Sequence, residues 1–217
     1  DATTLDLSYE YADHERFIDR GIPTADGEPV ERFEKIVFGD EDQNLQTLTA
    51  NIMRANVSHM LSDTSKLNIS VLSSDYEKMY QNLYAAAYDA ETNVVTMDGY
   101  YDPTERENFM MSANLVSELD FGGMKHTLLV GTEVIDTQNK NTRYDSYWIT
   151  SGSDKESFIV TRPLDFSVTN LGVATAFDFA TKLKSRTESD IAVSSFYVQD
   201  QIEVSDKVLL LLGGRMD

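Results

Sequence analysis

The chain has 217 residues, enough for one or two globular domains, and it contains no cysteine. The missing cysteine excludes disulfide frameworks, thiolate nucleophiles and thiolate zinc sites. With 18 Lys+Arg against 37 Asp+Glu, the formal net charge is −19, which disfavours nucleic acid and anionic bilayer surfaces as partners.

Alternating apolar and polar residues predict β-strands along much of the chain. In residues 4–12, Leu5, Leu7 and Tyr9 alternate with Asp6 and Ser8. Side chains on a strand point to alternate sides, so the pattern predicts a strand with one apolar and one polar face. The same pattern recurs in residues 53–61, 67–71, 109–119, 128–134 and 196–216.

The last alternating stretch, residues 195–217, predicts a hairpin with a turn at Ser205-Asp206. Asp200 is an exception because it falls on the apolar face. Leu209 and Leu211 are further exceptions because they crowd the polar face. Beyond Leu72 the alternation changes phase, which predicts a β-bulge there.

Short and long connections alternate along the chain. Short turns are predicted at 62–65, 122–123 and 205–206, whereas long connections are predicted after residue 12, over 85–105, and over roughly 50 residues before the last hairpin. Short strands are expected within that last connection at Ser157–Thr161 and Leu171–Lys184. Soluble β-domains seldom have structureless loops beyond about 12–15 residues. The asymmetry is typical of an all-β, antiparallel transmembrane β-barrel with short periplasmic turns and long extracellular loops.

The properties of the bilayer explain why a membrane-spanning sheet closes into a barrel. Hydrocarbon offers no partner to backbone N–H and C=O groups, and a closed sheet pairs all of them without leaving an edge. A soluble β-sandwich or adhesin also alternates and has variable loops, and it remains an alternative.

Three motifs resemble those of TonB-dependent siderophore receptors. The last hairpin, FYVQDQIEVSDKVLLLLGGRMD, is similar to the family's "YVQDQ…SDK…L…GGRYD" segment. Residues 19–23, DRGIP, resemble a segment that follows an early barrel strand, and residues 121–131 resemble a "G…KH.LL.G" turn and strand. The motifs follow the family's order from residue 19 to residue 217.

The resemblance implies a 22-stranded outer-membrane barrel that imports ferric siderophores, plugged by an N-terminal domain and energised by the TonB protein of the inner membrane. The chain shows no plug sequence and no energy-coupling box. We therefore expect residues 1–217 to be part of the barrel domain in a bacterial outer membrane, with outer-membrane lipid as its surroundings. Iron is expected only as the ferric siderophore substrate, with no intrinsic cofactor.

The residues give little support to an enzyme. His14, His59 and His126 are scattered without metal spacing, and no serine lies in a G-x-S-x-G context. No G-x-G-x-x-G or P-loop motif supports nucleotide binding. The acidic residues at 40–42 and Asp136 have oxygen ligands that suit calcium, but solvated loops are the favoured explanation.

Ligand binding has better candidates, which we expect in the external loops. Aromatic rings and guanidinium groups suit a flat or anionic iron chelate through stacking, hydrogen bonds and charge. The expected ligand-binding residues are Tyr100, Tyr101, Arg143, Tyr144, Tyr147 and Trp148. Packing of loop on loop explains these residues equally well.

Charged residues on the polar faces are expected to face the lumen, where water or plug groups can meet their charge. The candidates are Glu118, Glu133, Arg215 and Asp217. The strand pattern predicts a barrel wall, and the resemblance implies that it is a fragment of a TonB-dependent ferric-siderophore receptor. The alternatives are a porin-like barrel without energy coupling and a soluble β-rich binding or adhesive domain.

Overall fold

The computed structural model describes residues 2–40, 42–160 and 177–217. Within these residues the chain forms ten β-strands and one short 3-10 helix at Glu31–Phe33. No helix among them is long and apolar enough to cross a membrane. The strands are β1 Thr3–Phe17, β2 Thr24–Ala25, β3 Glu28–Pro29, β4 Leu45–Ser62, β5 Ser65–Asp89, β6 Val94–Phe121, β7 Met124–Trp148, β8 Glu156–Ile159, β9 Phe177–Ser205 and β10 Val208–Met216.

The long strands form one antiparallel sheet in the order β1-β4-β5-β6-β7-β9-β10. The short strand β8 pairs with the outer end of β6, and β2 pairs with β3 in a separate small hairpin. The predicted short turns lie at one end of the sheet, between β4 and β5, β6 and β7, and β9 and β10. The last of them spans Asp206 and Lys207, one residue beyond the predicted position.

The strand registers place the apolar residues of the sequence pattern on one face, which we call the apolar face. One cross-strand row runs through Leu7, Ala55, Val71, Met111 and Val134. These side chains are not covered by other parts of the chain: Leu7 is 70% exposed. The apolar face is therefore an outer wall one strand thick, and not half of a buried sandwich core.

The opposite side, which we call the polar face, carries Asp6, Ser8, Arg54, Ser112 and Glu133 at matching positions. A sheet with one apolar and one polar face suits a barrel wall between lipid and a wet interior. The predicted bulge near Leu72 is wrong, since the pairing of β5 with β4 and β6 is regular there. The phase changes because Tyr76 and Tyr80 lie on the polar face beyond the apolar band.

One ionisable pair interrupts the apolar face near the short turns. His126 Nδ1 lies 2.8 Å from Asp200 Oδ2, across β7 and β9. The side chains retain only 13% and 29% of their exposure. Asp200, the exception in the sequence pattern, is thus matched by a histidine 74 residues earlier in the chain.

Strands β5, β6, β7 and β9 are far longer than a bilayer requires. The 28 residues of β6 extend about 90 Å at ~3.3 Å per residue, whereas the apolar band of a barrel is about 25 Å tall. The predicted long connection over 85–105 is wrong: β5 runs to Asp89 and β6 begins at Val94. In the part of these strands that projects beyond the apolar band, both faces contact water or loops. The sequence there lacks the alternation of apolar and polar residues that marks a strand in lipid.

The third predicted connection is also largely strand. β7 continues to Trp148, and β8 confirms the strand expected near Ser157. The expected strand over Leu171–Lys184 begins outside the described residues, but its part from Phe177 onward belongs to β9.

A small apolar core lies beside the projecting strands. The segment between β1 and β4 contributes Phe33, Ile36 and Phe38, which are nearly fully buried. They pack in one cluster with strand residues and one residue after β8, namely Leu83, Val95, Met97, Trp148 and Val160. This core fixes the segment 18–44 against the outer part of the sheet.

Asn44 joins that segment to β5 through its side-chain amide. Its Oδ1 accepts from the backbone N–H groups of Leu83 and Asp40, each at 3.0 Å. Its Nδ2 donates to the carbonyl oxygens of Ile18 at 3.0 Å and of Leu83 at 2.9 Å. A Cβ at Gly39 would collide with this amide, so the close approach of the backbone requires glycine there.

Candidate functional site

The part of the polar face farthest from the short turns carries aromatic and charged side chains from three neighbouring strands, β5, β6 and β7. Tyr80 pairs with Asp102, and Tyr100 pairs with Asp145, so these residues lie on one face. Tyr84 on β5 and Arg143 on β7 share the same face by strand alternation. These residues lie side by side because the pairing of β5 with β6 and of β6 with β7 continues in the same register beyond the apolar band.

Arg20 reaches this face from the segment that follows β1. Its guanidinium lies 5.0 Å from the ring centroid of Tyr84 and 5.7 Å from that of Tyr100. Its Nη1 donates to the hydroxyl of Tyr100 at 2.5 Å. We call the group of Arg20, Tyr80, Tyr84, Tyr100, Asp102 and Arg143 the Arg–Tyr cluster.

Tyr100 is the centre of the Arg–Tyr cluster. Its ring stacks on Tyr80 at 5.9 Å and meets Tyr84 edge-on at 6.1 Å. The guanidinium of Arg143 lies 4.4 Å from its centroid, so two cations contact one phenol ring. Cation–π contacts of this kind contribute about 0.5–2 kcal/mol each, more where water is excluded.

The two arginines are held in different ways. Arg143 binds Asp102 through two parallel hydrogen bonds, one from Nε at 2.8 Å, and these bonds raise the pKa of Arg143. Partial burial lowers the pKa of Arg20, but the hydroxyls of Tyr100 and Tyr80 outweigh it, and the pKa is raised. Arg20 therefore remains a cation that is held by the hydroxyl groups of Tyr100 and Tyr80.

Tyr84 remains a neutral phenol in this setting. Burial is the main cause that raises its pKa, and the carboxylate of Asp98 raises it further, although Arg20 acts in the opposite direction. Asp98 also forms an ion pair with Lys155 at 3.4 Å. The cluster thus offers two guanidinium groups and neutral ring faces, an arrangement suited to an anionic, flat ligand.

The structure separates the six ligand-binding residues expected from sequence. Tyr100, Arg143 and Tyr147 lie on the polar face, and Lys182 Nζ is 4.6 Å from the ring of Tyr147. Tyr101 and Tyr144 stack on each other at 5.7 Å on the opposite face.

Trp148 is completely buried in the apolar core beside Phe158. A side chain with no exposed surface holds the loop in place and offers nothing to an external ligand. Packing of loop on loop, the alternative explanation for these aromatic residues, therefore applies to Trp148.

Sequence reasoning missed Arg20, Tyr80 and Tyr84. Tyr80 and Tyr84 are four residues apart on one strand and therefore share a face, a signal that required knowing that β5 continues so far. Arg20 is visible only as part of the DRGIP motif. Nothing in the sequence indicates its distance to Tyr100, 80 residues away.

The four expected lumen residues lie on the polar face. Arg215 bonds Glu133 Oε1 through Nη2 at 2.8 Å and Asp217 Oδ1 through Nε at 2.7 Å. Glu118 is on the same face, toward the short turns. Such paired charges suit a wall that faces water or another polar part of the protein, because burial in lipid would be costly.

Tyr197 and Gly131 show how closely the polar face is packed. Tyr197 Oη donates to Asn114 Oδ1 at 2.5 Å, and its ring crosses Gly131. A Cβ at Gly131 would collide with this ring and with Asn114. Glycine is required at this strand position so that the aromatic ring can lie flat on the sheet.

The described residues contain no group of three or more His, Asp or Glu side chains that could hold a metal ion. In the acidic segment, Asp40 Oδ1 accepts from the backbone N–H of Asp42, while Glu41 lies outside the described residues. Asp136 lines an open depression on the apolar side of the projection.

Comparison with known proteins identifies the family. The model of the TonB dependent receptor-like β-barrel matches residues 1–217, the whole chain. The chain belongs to this family. A receptor barrel of this kind is an outer-membrane structure of Gram-negative bacteria, so the apolar face is its lipid-facing side and the polar face its interior side.

Curated and solved relatives of this receptor barrel agree. A probable TonB-dependent siderophore receptor, PiuA of Acinetobacter baumannii, is 26% identical over 231 residues, which cover 99% of this chain and 31% of PiuA. The crystal structure of PiuA superposes with a TM-score of 0.63 at 21% identity, covering 99% of this chain and 32% of that one. The chain thus spans about a third of the length of these relatives.

Two further solved receptors share the fold. The closed form of the ferric-catecholate import receptor Fiu from E. coli has a TM-score of 0.70 at 14% identity, with coverage of 99% and 31%. The ferripyoverdine receptor of Pseudomonas aeruginosa has a TM-score of 0.72 at 15% identity, with coverage of 99% and 28%. These proteins are receptors and transporters, and at such identities the likeness concerns the fold.

Proposed function

We propose that the protein imports ferric siderophores across the outer membrane and that this chain forms part of its barrel wall and extracellular mouth. One observation carries the proposal: a wall with an apolar outer band bears, beyond that band and on its interior side, a cluster of two arginines and three tyrosines. This placement puts cations and ring faces where a chelate would enter. The curated relative, a probable siderophore receptor, supports the same reading.

Within this mouth, Arg143 and Tyr147 are the proposed ligand contacts among the residues expected from sequence. Both lie on the polar face, and both are partly accessible. Tyr101, Tyr144 and Trp148 act by packing, since they lie on the other face or in the core.

The proposed attraction is local. At a net charge of −19 the chain repels an anionic chelate at long range, and exposed charges are screened beyond about 8–10 Å in physiological salt. Direct contact with guanidinium groups therefore provides most of the favourable electrostatic energy.

Release into the periplasm is proposed to require energy from TonB, acting through parts of the protein outside this chain. Within the barrel, the Arg215–Glu133 pair and the Arg54–Glu10 pair, at 3.4 Å, keep the interior wall polar. A polar wall permits a plug to slide or unfold without exposing apolar surface to water.

Uptake of radioactive iron tests the proposal. The full-length receptor is produced in a strain that lacks its own siderophore receptors, and the cells receive iron-55 loaded on catecholate or hydroxamate siderophores. Saturable uptake that disappears without TonB is the expected result. Uptake that continues without TonB would instead identify a passive pore, and no uptake of any chelate would refute siderophore transport.

A further inference from the structure

Asn82, the register partner of Tyr100, is a buried amide without a hydrogen-bond partner next to the Arg–Tyr cluster. It has no exposed surface, and neither its Nδ2 nor its Oδ1 makes a hydrogen bond. Burying an unpaired amide destabilises a protein, whereas an apolar residue of similar size in the same place would not. The amide therefore has a free donor and a free acceptor for a ligand that packs against it.

The neighbours of Asn82 are the rings of the cluster. Tyr80 and Tyr84 flank it on its own strand, and Tyr100 is its register partner on β6. Tyr100 contacts both flanking rings, at 5.9 Å and 6.1 Å between centroids, so its ring extends across Asn82. The ring of Tyr100 therefore lies between those of Tyr80 and Tyr84, on the same face of the sheet as the Asn82 side chain.

Every contact that holds Tyr100 is one that a separate phenolic ring can make. Its face stacks on Tyr80, its π-system meets the guanidiniums of Arg143 and Arg20, and its hydroxyl oxygen accepts from Arg20. None of these contacts depends on the backbone of β6. The side chain of Tyr100 therefore shows which chemical group this place accepts.

An ionised ring oxygen would bind there more strongly than the hydroxyl group of Tyr100. Among the described residues, Arg20 has no carboxylate at ion-pair distance, so its charge is not neutralised by the chain. A hydrogen bond from a guanidinium to an anionic oxygen is roughly twice as strong as one to a neutral oxygen. Replacing the Tyr100 hydroxyl by an anionic ring oxygen of a ligand therefore strengthens the hydrogen bond from Arg20.

We propose that Tyr100 is a displaceable cover, and that a phenolate or catecholate ring of the iron chelate takes its place against Arg20 and the Asn82 amide. The inference rests on the proposed siderophore function and specifies the chemical class of the ligand. Asn82 then gains hydrogen-bond partners on the ligand, and Tyr80 and Tyr84 supply the stacking faces. A hydroxamate chelate has no ring to stack there and gains less.

The test measures binding to the purified full-length receptor in detergent by calorimetric titration. The probes are a ferric tris-catecholate complex and a ferric trihydroxamate complex. Arg20→Gln and Asn82→Leu are each expected to weaken catecholate binding at least tenfold and to change hydroxamate binding less than threefold. Arg106→Gln is the matched control, because Arg106 lies on the same face of β6 but bonds Asn139 outside the cluster; it should change neither affinity.

Two readouts separate ligand contact from folding. Asn82→Leu should leave the thermal midpoint equal or higher, because it removes an unpaired buried amide. Tyr100→Ala should tighten catecholate binding, because the cover no longer has to be displaced. Unchanged or weaker binding by Tyr100→Ala overturns the inference, as does unchanged catecholate affinity in Asn82→Leu.

The outcomes also distinguish this inference from the proposed function. A wild-type receptor that binds the hydroxamate complex and not the catecholate complex overturns the inference and leaves siderophore binding intact. A wild-type receptor that binds neither complex overturns both.

Discussion

Replacing Asn44 with alanine should release the segment 18–44 from the outer part of the sheet. The side-chain amide makes four hydrogen bonds to buried backbone groups of Ile18, Asp40 and Leu83. Alanine leaves all four backbone groups without that partner. At a net ~1 kcal/mol for each bond, the four together stabilise the docked segment by about 4 kcal/mol.

This loss should remain local, because Leu45–Ser62 of β4 stay paired with Ser65–Gln81 of β5. Hydrogen exchange of the full-length receptor measures it directly. Amide protection of residues 18–44 should fall by two to three orders of magnitude, while protection of the paired strands changes little.

Asn51→Ala provides the control for this experiment. Asn51 also makes two side-chain hydrogen bonds, to Tyr9 and Asp75, but both are exposed, and the expected change is below about 1 kcal/mol. Equal loss of protection in both variants, or no loss in Asn44→Ala, would show that the buried amide does not hold the segment. Gly39→Ala should reproduce the Asn44 phenotype, because its Cβ displaces the same amide.

Three further predictions address the wall and the mouth. Gly131→Ala should destabilise the barrel in thermal unfolding by about 1–3 kcal/mol through collision with the Tyr197 ring, and adding Tyr197→Ala should restore most of that loss; additive losses would contradict the proposed collision. Val130→Arg on the lipid-facing band should cost about 2–4 kcal/mol and lower the amount of receptor in the outer membrane, whereas Ser112→Arg on the polar face should not; equal levels would refute the assignment of the two faces. Asp102→Asn should tighten binding of an anionic chelate in titration by freeing its guanidinium partner, Arg143. The thermal midpoint should change little, since the Arg143 side chain is 45% exposed; weaker binding would indicate that the pair positions the arginine.

The strands within the membrane band could be predicted because lipid imposes a strong contrast on them. Leu5 and Leu7 alternate with Asp6 and Ser8 as the bilayer requires, and the short turns follow directly from the ends of these patterns. Above the band this contrast disappears. The pattern of residues 85–105 therefore predicts a loop, although these residues form the ends of two paired strands and the short turn between them.

The candidate site could be predicted only in part. Tyr100 and Arg143 were recognisable as ligand-type residues in an outer segment, but the same reasoning selected Trp148, which is buried in the apolar core. The sequence had no means of separating them, since both kinds of aromatic residue occur in long outer segments. Burial is a property of the packed structure.

The amino-acid sequence by itself determined the barrel wall, because apolar and polar residues alternate along each strand and this alternation depends only on neighbours in the chain. Tertiary structure alone decided which distant residues meet. Arg20 reaches Tyr100 across 80 positions, and His126 matches Asp200 across 74. Such pairings depend on strand register and on how the segment 18–44 packs, and both arise from the summed contacts of the whole sheet rather than from any local pattern.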